Sequence, residues 1–226
     1  MEKYAVIVAG GSGSRMGTPV PKQFLLLQQR SLLWYSLNTF LHAFDDIHII
    51  LVLPEENMAE GEKLVTELNA GKKITITKGG STRFHSVQNG LRFVTEPSIV
   101  FVHDGVRCLV TKGLIRRCYA QALEKGSAIP AVAATDSIRI VDGDTSVVAN
   151  RNDVRIIQTP QTFQSAILLP AFKTTHQESF TDEATVVEAS QQKIFLIEGE
   201  YENIKITRPA DLLIAEKILA ERSSLQ

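Results

Sequence analysis

Short apolar runs alternate with amphipathic segments from the start of the chain to residue 132, and this alternation restricts the fold more than any other feature. Residues 4–9, 47–53, 73–77, 98–103 and 126–132 are rich in Val, Ile and Ala, the pattern of parallel strands buried on both faces. Between them, segments near 31–43, 55–69, 82–94 and 112–125 carry apolar residues at helical spacing. This rhythm predicts an α/β fold, a mostly parallel sheet with helices on both faces and right-handed crossovers. Such sheets bind ligands outside the carboxyl ends of their strands. The polar segments after residues 9, 77 and 103 should therefore meet at one edge.

The rhythm breaks after Pro130. In residues 135–151, two β-prone runs flank Asp142-Gly143, a strong hairpin signal. A lone two-stranded ribbon is marginal in water. The expected solution is an arm that packs on a second subunit, which makes a homodimer. Beyond it, the pattern predicts a strand at 154–158, helices near 164–173 and 183–190, a strand at 193–197 and a final helix over 209–222. Pro209 suits the start of that last helix, where its missing N–H costs little. Without repeats, linkers or low-complexity tracts, the simplest organisation is one domain over 1–226 with 135–151 as an inserted β-arm.

Composition excludes several classes of function. A net charge of −1 argues against a broad surface that tracks nucleic acid. No apolar run approaches the ~18 residues of a membrane span. Met1-Glu2-Lys3-Tyr4 leads straight into the first strand without the basic and apolar regions of a secretory signal. Cys108 and Cys118 match no zinc or CxxC spacing, which fits reduced thiols in a cytoplasmic protein. The five histidines include no pair with metal-ligand spacing.

The first strand is followed by Ala9-Gly10-Gly11-Ser12-Gly13-Ser14-Arg15-Met16-Gly17, and then by Pro21-Lys22-Gln23-Phe24. Glycines let backbone N–H groups approach an anion closely, and Arg15 and Lys22 add positive charge beside them. The combination suits a triphosphate. A dinucleotide fingerprint fits poorly, because Met16 stands at its third glycine position and residues 31–37 lack the acid that would bind ribose. No window matches a P-loop. A nucleotidyltransferase loop remains, against the plain alternative of a glycine-rich turn without a ligand.

These segments resemble the signature of the 2-C-methyl-D-erythritol 4-phosphate cytidylyltransferase family. The likeness continues through Gly79-Gly80-Ser81-Thr82-Arg83-Phe84-His85-Ser86-Val87, His103-Asp104-Gly105-Val106-Arg107, Thr159-Pro160-Gln161-Thr162-Phe163, Thr181-Asp182-Glu183-Ala184 and Asn203-Ile204-Lys205-Ile206-Thr207-Arg208-Pro209. The ribitol-5-phosphate cytidylyltransferases share much of the pattern, but the segment from Gly80 to Leu91 is closer to the methylerythritol group. A nucleotide sensor that kept the fold is the alternative outside enzymes. Two departures stand out. Cys108 follows Arg107 where the family often has proline, and the arm carries Asp136-Ser137 where it usually has Asp-Thr.

The resemblance implies a Rossmann-like dimeric transferase that uses CTP and Mg²⁺ in non-mevalonate isoprenoid synthesis, with the arm exchanged between subunits. It implies an in-line attack by a sugar-alcohol phosphate on the α-phosphorus of CTP. Arg15, Lys22 and Lys205 are the expected charge-stabilising groups. Ala9, Gly10, Gly11, Gly13, Gly80, Ser81 and Ser86 are expected to hold the nucleotide. Asp104, Arg107 and, from the arm, Ser137 and Arg151 are expected at the acceptor, with Asp104 also a candidate contact for a metal held mainly by the triphosphate. Asp182 and Glu183 read as a helix start, where acids favour the dipole. Lys22 is expected in a loop near solvent, and Lys205 in a β-like run.

Overall fold

The computed structural model describes residues 1–11, 17 and 20–224. The first strand, β1 (Glu2–Val8), is followed by a 3-10 turn at Lys22–Phe24 and a two-residue ribbon, β2 (Leu26–Leu27) with β3 (Arg30–Ser31). Helix α1 (Leu32–Leu41) leads to β4 (Ile47–Leu53), α2 (Met58–Glu67), β5 (Ile74–Lys78), α3 (Arg83–Leu91), β6 (Ser98–Asp104), α4 (Lys112–Lys125) and β7 (Ser127–Ala133). The hairpin strands are β8 (Ile138–Asp142) and β9 (Thr145–Ala149). After them come β10 (Arg155–Ile157), β11 (Gln161–Gln164), α5 (Ser165–Ala171), α6 (Glu183–Ala189), β12 (Leu196–Glu198) and α7 (Pro209–Ser224).

Local chemistry sets the helix ends. Ser31, Thr82 and Thr111 each accept a backbone N–H three residues on, which caps α1, α3 and α4. Gly126, with φ +90°, closes α4 in the left-handed conformation. Asp182 and Thr185 form a reciprocal capping box on α6.

β5, β4, β1 and β6 lie side by side and parallel. Helices cover both faces. Ala5 and Ile7 of β1 join the cluster formed with α1, α2 and α4, whereas Val6 joins the cluster formed with α3, α5 and α6. All three residues are fully buried. Each such Val or Ile contributes about 1.5–3 kcal/mol, so the strand that carries the glycine-rich loop is firmly anchored. A third cluster seats α7 through Ala215 against Leu27, Leu32 and Leu109.

The expected α/β sheet with helices on both faces is present, with one addition. β11 runs antiparallel between β6 and β7, so the fifth predicted strand is not a direct neighbour of the fourth. Thr162 and Phe163 of β11 pair with Ala128 and Ser127, and β10 continues the same return beside Ala131–133. Four residues are too short for periodicity to reveal a strand. β12 begins three residues after the predicted start at 193 and pairs parallel with β7. The hairpin turn is shifted by one residue: Asp142 pairs with Thr145, and the loop is Gly143-Asp144 with Gly143 at φ +55°.

Among the described residues, β8 and β9 pair only with each other. Ile140, Val141, Val147 and Val148 on this ribbon are 59 to 72% exposed.

Candidate active site

Three turns leave the carboxyl edge of the sheet at one level. Ala9 N–H donates to Val52 O, Gly79 N–H to Leu53 O and Gly105 N–H to Val8 O, each at 2.8–3.0 Å. The chain beyond each bond turns over the edge. A cavity of about 290 Å³ opens there, with Gly10 and Gly11 on one side, Gly80 and Ser86 on another, and Lys22, Asp104 and Lys205 across its floor and rim. The three polar segments predicted to meet do meet.

The second turn is held from within. Ser86 is buried, accepts Gly80 N–H at 3.0 Å and donates to Thr82 O at 3.0 Å. A Cβ on Gly80 would stand 2.4 Å from His85 Cβ and 3.0 Å from His85 backbone carbon. Only glycine lets this loop lie close to α3. Ser81 is exposed at the cavity wall, with its hydroxyl 3.2 Å from His85 Nδ1.

Asp104 ends β6 and is the carboxylate of this cavity. Oδ2 lies 2.8 Å from Lys205 Nζ. Oδ1 accepts from Arg83 Nε and Nη2 at 3.2 and 3.1 Å. Burial opposes its ionisation, but Arg83 and Lys205 outweigh burial and hold it well below the usual carboxylate range. The opposite edge of the Arg83 guanidinium meets both oxygens of Glu183, with Nη2 3.1 Å from Oε2 and Nη1 on Oε1. Burial works against the charge on Arg83, yet Glu183 and Asp104 raise its pKa above the ordinary arginine value.

His103, fully buried, fixes the backbone of Asp104. Its Nε2–H donates to Arg107 O at 3.2 Å, so Nδ1 accepts the Thr159 hydroxyl at 3.0 Å. Thr159 Oγ1 in turn accepts Asp104 N–H at 3.1 Å. Burial pushes His103 down to about 3, so the ring is neutral at physiological pH. Arg107 donates to Asn203 O at 2.8 Å and to Ile157 O at the end of β10 at 3.3 Å, and borders a second cavity of about 210 Å³.

Of the residues expected from sequence, Ala9, Gly10, Gly11, Lys22, Gly80, Ser81, Ser86, Asp104 and Lys205 line the first cavity, and Arg107 lines the second. Arg15 and Gly13 lie outside the described residues. Lys22 is only 9% exposed, not near solvent, and its 3-10 turn packs against α1. Lys205 lies in an irregular segment, not a strand; buried Ile206 anchors it through an N–H to Val106 O at 3.1 Å. Ser137 and Arg151 line neither cavity of their own chain, and Arg151 donates to Thr135 O at 2.9 Å.

Sequence reasoning gave Arg83 no role and read Glu183 as a helix start. Asp182 is indeed the cap, but Glu183, 1% exposed, points into the arginine. One signal was available. Arg83 opens α3 and no acid accompanies it in the first turn, where a cation opposes the helix dipole. A cation so placed needs an acidic partner from elsewhere.

The family model described as 2-C-methyl-D-erythritol 4-phosphate cytidylyltransferase matches residues 4–221. Curated proteins of that name from Phocaeicola vulgatus and Bacteroides fragilis are 41% and 42% identical to the chain, each over 97% of it and 100% of the relative. The crystal structure of 4-diphosphocytidyl-2C-methyl-D-erythritol synthase from Anaerococcus prevotii superposes with a TM-score of 0.83 at 27% identity, covering 97% of this chain and 98% of that one. The Thermus thermophilus 2-C-methyl-D-erythritol 4-phosphate cytidylyltransferase gives 0.76 at 30% identity, over 97% and 100%.

Proposed function

The chain belongs to the 2-C-methyl-D-erythritol 4-phosphate cytidylyltransferase family, and we infer from its site how it carries out that reaction. CTP and 2-C-methyl-D-erythritol 4-phosphate give 4-diphosphocytidyl-2-C-methyl-D-erythritol and pyrophosphate, a step of non-mevalonate isoprenoid synthesis. The observation that carries the site assignment is the convergence of glycine backbones and two lysines on one cavity at the carboxyl edge of the sheet.

An acceptor phosphate oxygen attacks the α-phosphorus. One P–O bond forms, the bond to the β-phosphate oxygen breaks, and pyrophosphate leaves with its electron pair. The acceptor is already an anion, so no general base is needed. The barrier is repulsion between anions and charge growing on the leaving group, which calls for positioning and electrostatic stabilisation. Lys22, fixed in the cavity, faces the α-phosphate and its transition-state charge. Gly10, Gly11 and the Gly80 turn hold the nucleotide through backbone groups. Lys205 and Asp104 border both cavities and receive the acceptor from the second one. Arg15 and Gly13, outside the described residues, are assigned to the triphosphate.

The described residues do not form a metal centre of their own. Among the described residues no group of three His, Cys, Asp or Glu side chains is placed to hold a metal ion, and both Asp104 oxygens are engaged by Arg83 and Lys205. Mg²⁺ therefore fits as an ion carried by the triphosphate and water, where it would neutralise phosphate charge. A direct bond from Asp104 would require one of its cations to let go.

The arm serves a homodimer, in which its exposed Val and Ile side chains are covered and Arg151 and Ser137 reach the partner's acceptor pocket. The expected location is the cytoplasm. No described helix is long and apolar enough to cross a membrane.

Pyrophosphate release should be measured with CTP, UTP, ATP and GTP against 2-C-methyl-D-erythritol 4-phosphate and ribitol 5-phosphate. CTP with the methylerythritol acceptor should turn over best. Equal turnover with a purine nucleotide, or preference for the ribitol acceptor, would overturn the assignment.

A further inference from the structure

Among the described residues, Arg83, Asp104 and Lys205 are common to both cavities, so they form the wall between the nucleotide side and the acceptor side. Behind the wall lies Glu183, almost wholly buried and joined to the site through Arg83. We infer that Glu183 and Arg83 are positioning residues for the acceptor half of the reaction, acting through Asp104 and Lys205. The inference rests on the reading of Lys205 as the acceptor-side cation.

The geometry gives each member one task. A guanidinium has two usable edges, and both are taken: Nε and Nη2 hold Asp104 Oδ1, while Nη1 and Nη2 hold Glu183. Pinned at both edges, Arg83 cannot rotate. It therefore sets where Oδ1 of Asp104 lies, and the rigid carboxylate places Oδ2 against Lys205. Lys205 sits at the end of a flexible four-carbon stem and is 42% exposed, so without this contact its ammonium would sample many positions. The charges also balance in sequence along the line: Glu183 negative, Arg83 positive, Asp104 negative, Lys205 positive.

A neutral Glu183 would leave Arg83 with Asp104 as its sole anionic partner. The arginine would then shift toward Asp104 and compete with Lys205 for it. The effect should fall on the acceptor, because none of the glycine backbones that face the nucleotide belongs to this line. Helix α6 keeps its own cap in Asp182, so a change of charge at Glu183 does not remove the helix start.

The test uses the full-length enzyme with Glu183→Gln, Arg83→Lys, the double variant and Lys205→Ala. Pyrophosphate release is followed with each substrate varied in turn, beside thermal melts. Glu183→Gln keeps shape and loses charge; Arg83→Lys keeps charge and loses the fork. Each single change should lower kcat/KM for the acceptor by roughly tenfold or more, the scale of a misplaced reacting group, while KM for CTP stays within about twofold. The double variant should be no worse than the worse single variant, because both act on one line. A folded Glu183→Gln enzyme with wild-type acceptor kinetics, or with equal losses toward CTP and acceptor, would overturn the inference. Should Glu183→Gln fail to fold, Arg83→Lys decides alone by the same criteria. Full activity in Lys205→Ala would remove the acceptor-side reading and the inference with it. A Lys205→Ala defect beside normal Glu183→Gln and Arg83→Lys kinetics would remove the inference only.

Discussion

Lys205 Nζ lies 2.8 Å from Asp104 Oδ2, which ties an irregular segment near the end of the chain to the tip of a central strand. Asp104 cannot drift, because His103 and Thr159 hold its backbone and Arg83 holds its other oxygen. The Lys205 ammonium is thus held at a defined point although its own segment has no regular secondary structure. Preorganised charge of this kind is what a reaction without a nucleophile or base requires.

Lys22→Ala should lower kcat by about 10²–10³, the usual scale for one preorganised charge-stabilising group. Because Lys22 is buried, its removal should also lower the melting temperature by a few degrees, as expected for about 1 kcal/mol in a domain of this size. Steady-state pyrophosphate release and a thermal melt check both. A folded variant with near-normal kcat would take Lys22 out of the mechanism.

Co-expression tests the shared site. If Arg151 reaches the neighbouring chain, Lys22→Ala and Arg151→Ala should each be nearly inactive as homodimers. Random pairing would make half the dimers mixed, each with one intact site, so roughly a quarter of all sites should recover. Purified mixed dimers showing only the sum of the residual activities would place both residues in one chain's site.

Gly80→Ala should raise KM for CTP about tenfold or more with the fold retained. The added methyl would meet both the side chain and the backbone of His85, so the turn must move away from α3. Backbone groups a fraction of an ångström out of place lose their bonds to a base. Nucleotide titration and circular dichroism separate this from unfolding; unchanged KM for CTP would show that the turn does not hold the nucleotide.

Cys108 and Cys118 should not react with thiol reagents in the native enzyme at pH 8. Burial pushes both thiols up to about 12, and both are almost inaccessible. The unfolded chain should expose two reactive thiols. The native state keeps these protons while the unfolded state releases them above about pH 8.5, so stability should decline as pH rises past that value. Denaturant titrations at pH 7 and 10 give the sign; fast labelling of native protein would show that the packing is looser than described.

Much of this was legible in the residues. Alternation of Val- and Ile-rich runs with amphipathic segments gave the sheet and its helices, and the glycines after β1 and β5 marked where cavity-lining turns leave it. These signals are local, because a strand, a helix or a tight turn is set by periodicity and backbone freedom within a few residues. β11 escaped because four residues carry too little period, and its place between β6 and β7 depends on pairing with strands far away in sequence.

The arm was legible as a hairpin, with Gly143 at its turn, but the pattern did not say what covers Val141 and Val148. The resemblance named residues that the fold brings around two cavities, but not how they are arranged there. Glu183 looked like a helix start because its local context satisfies that role, while its partner Arg83 stands 100 residues away. Lys22 looked exposed because a single lysine in a short loop carries no mark of what packs over it. Local chemistry determined the elements and the turns. Which charges meet, and which of them are buried, was decided only by the tertiary fold, because Coulomb and desolvation energies depend on distances through space that no spacing along the chain encodes.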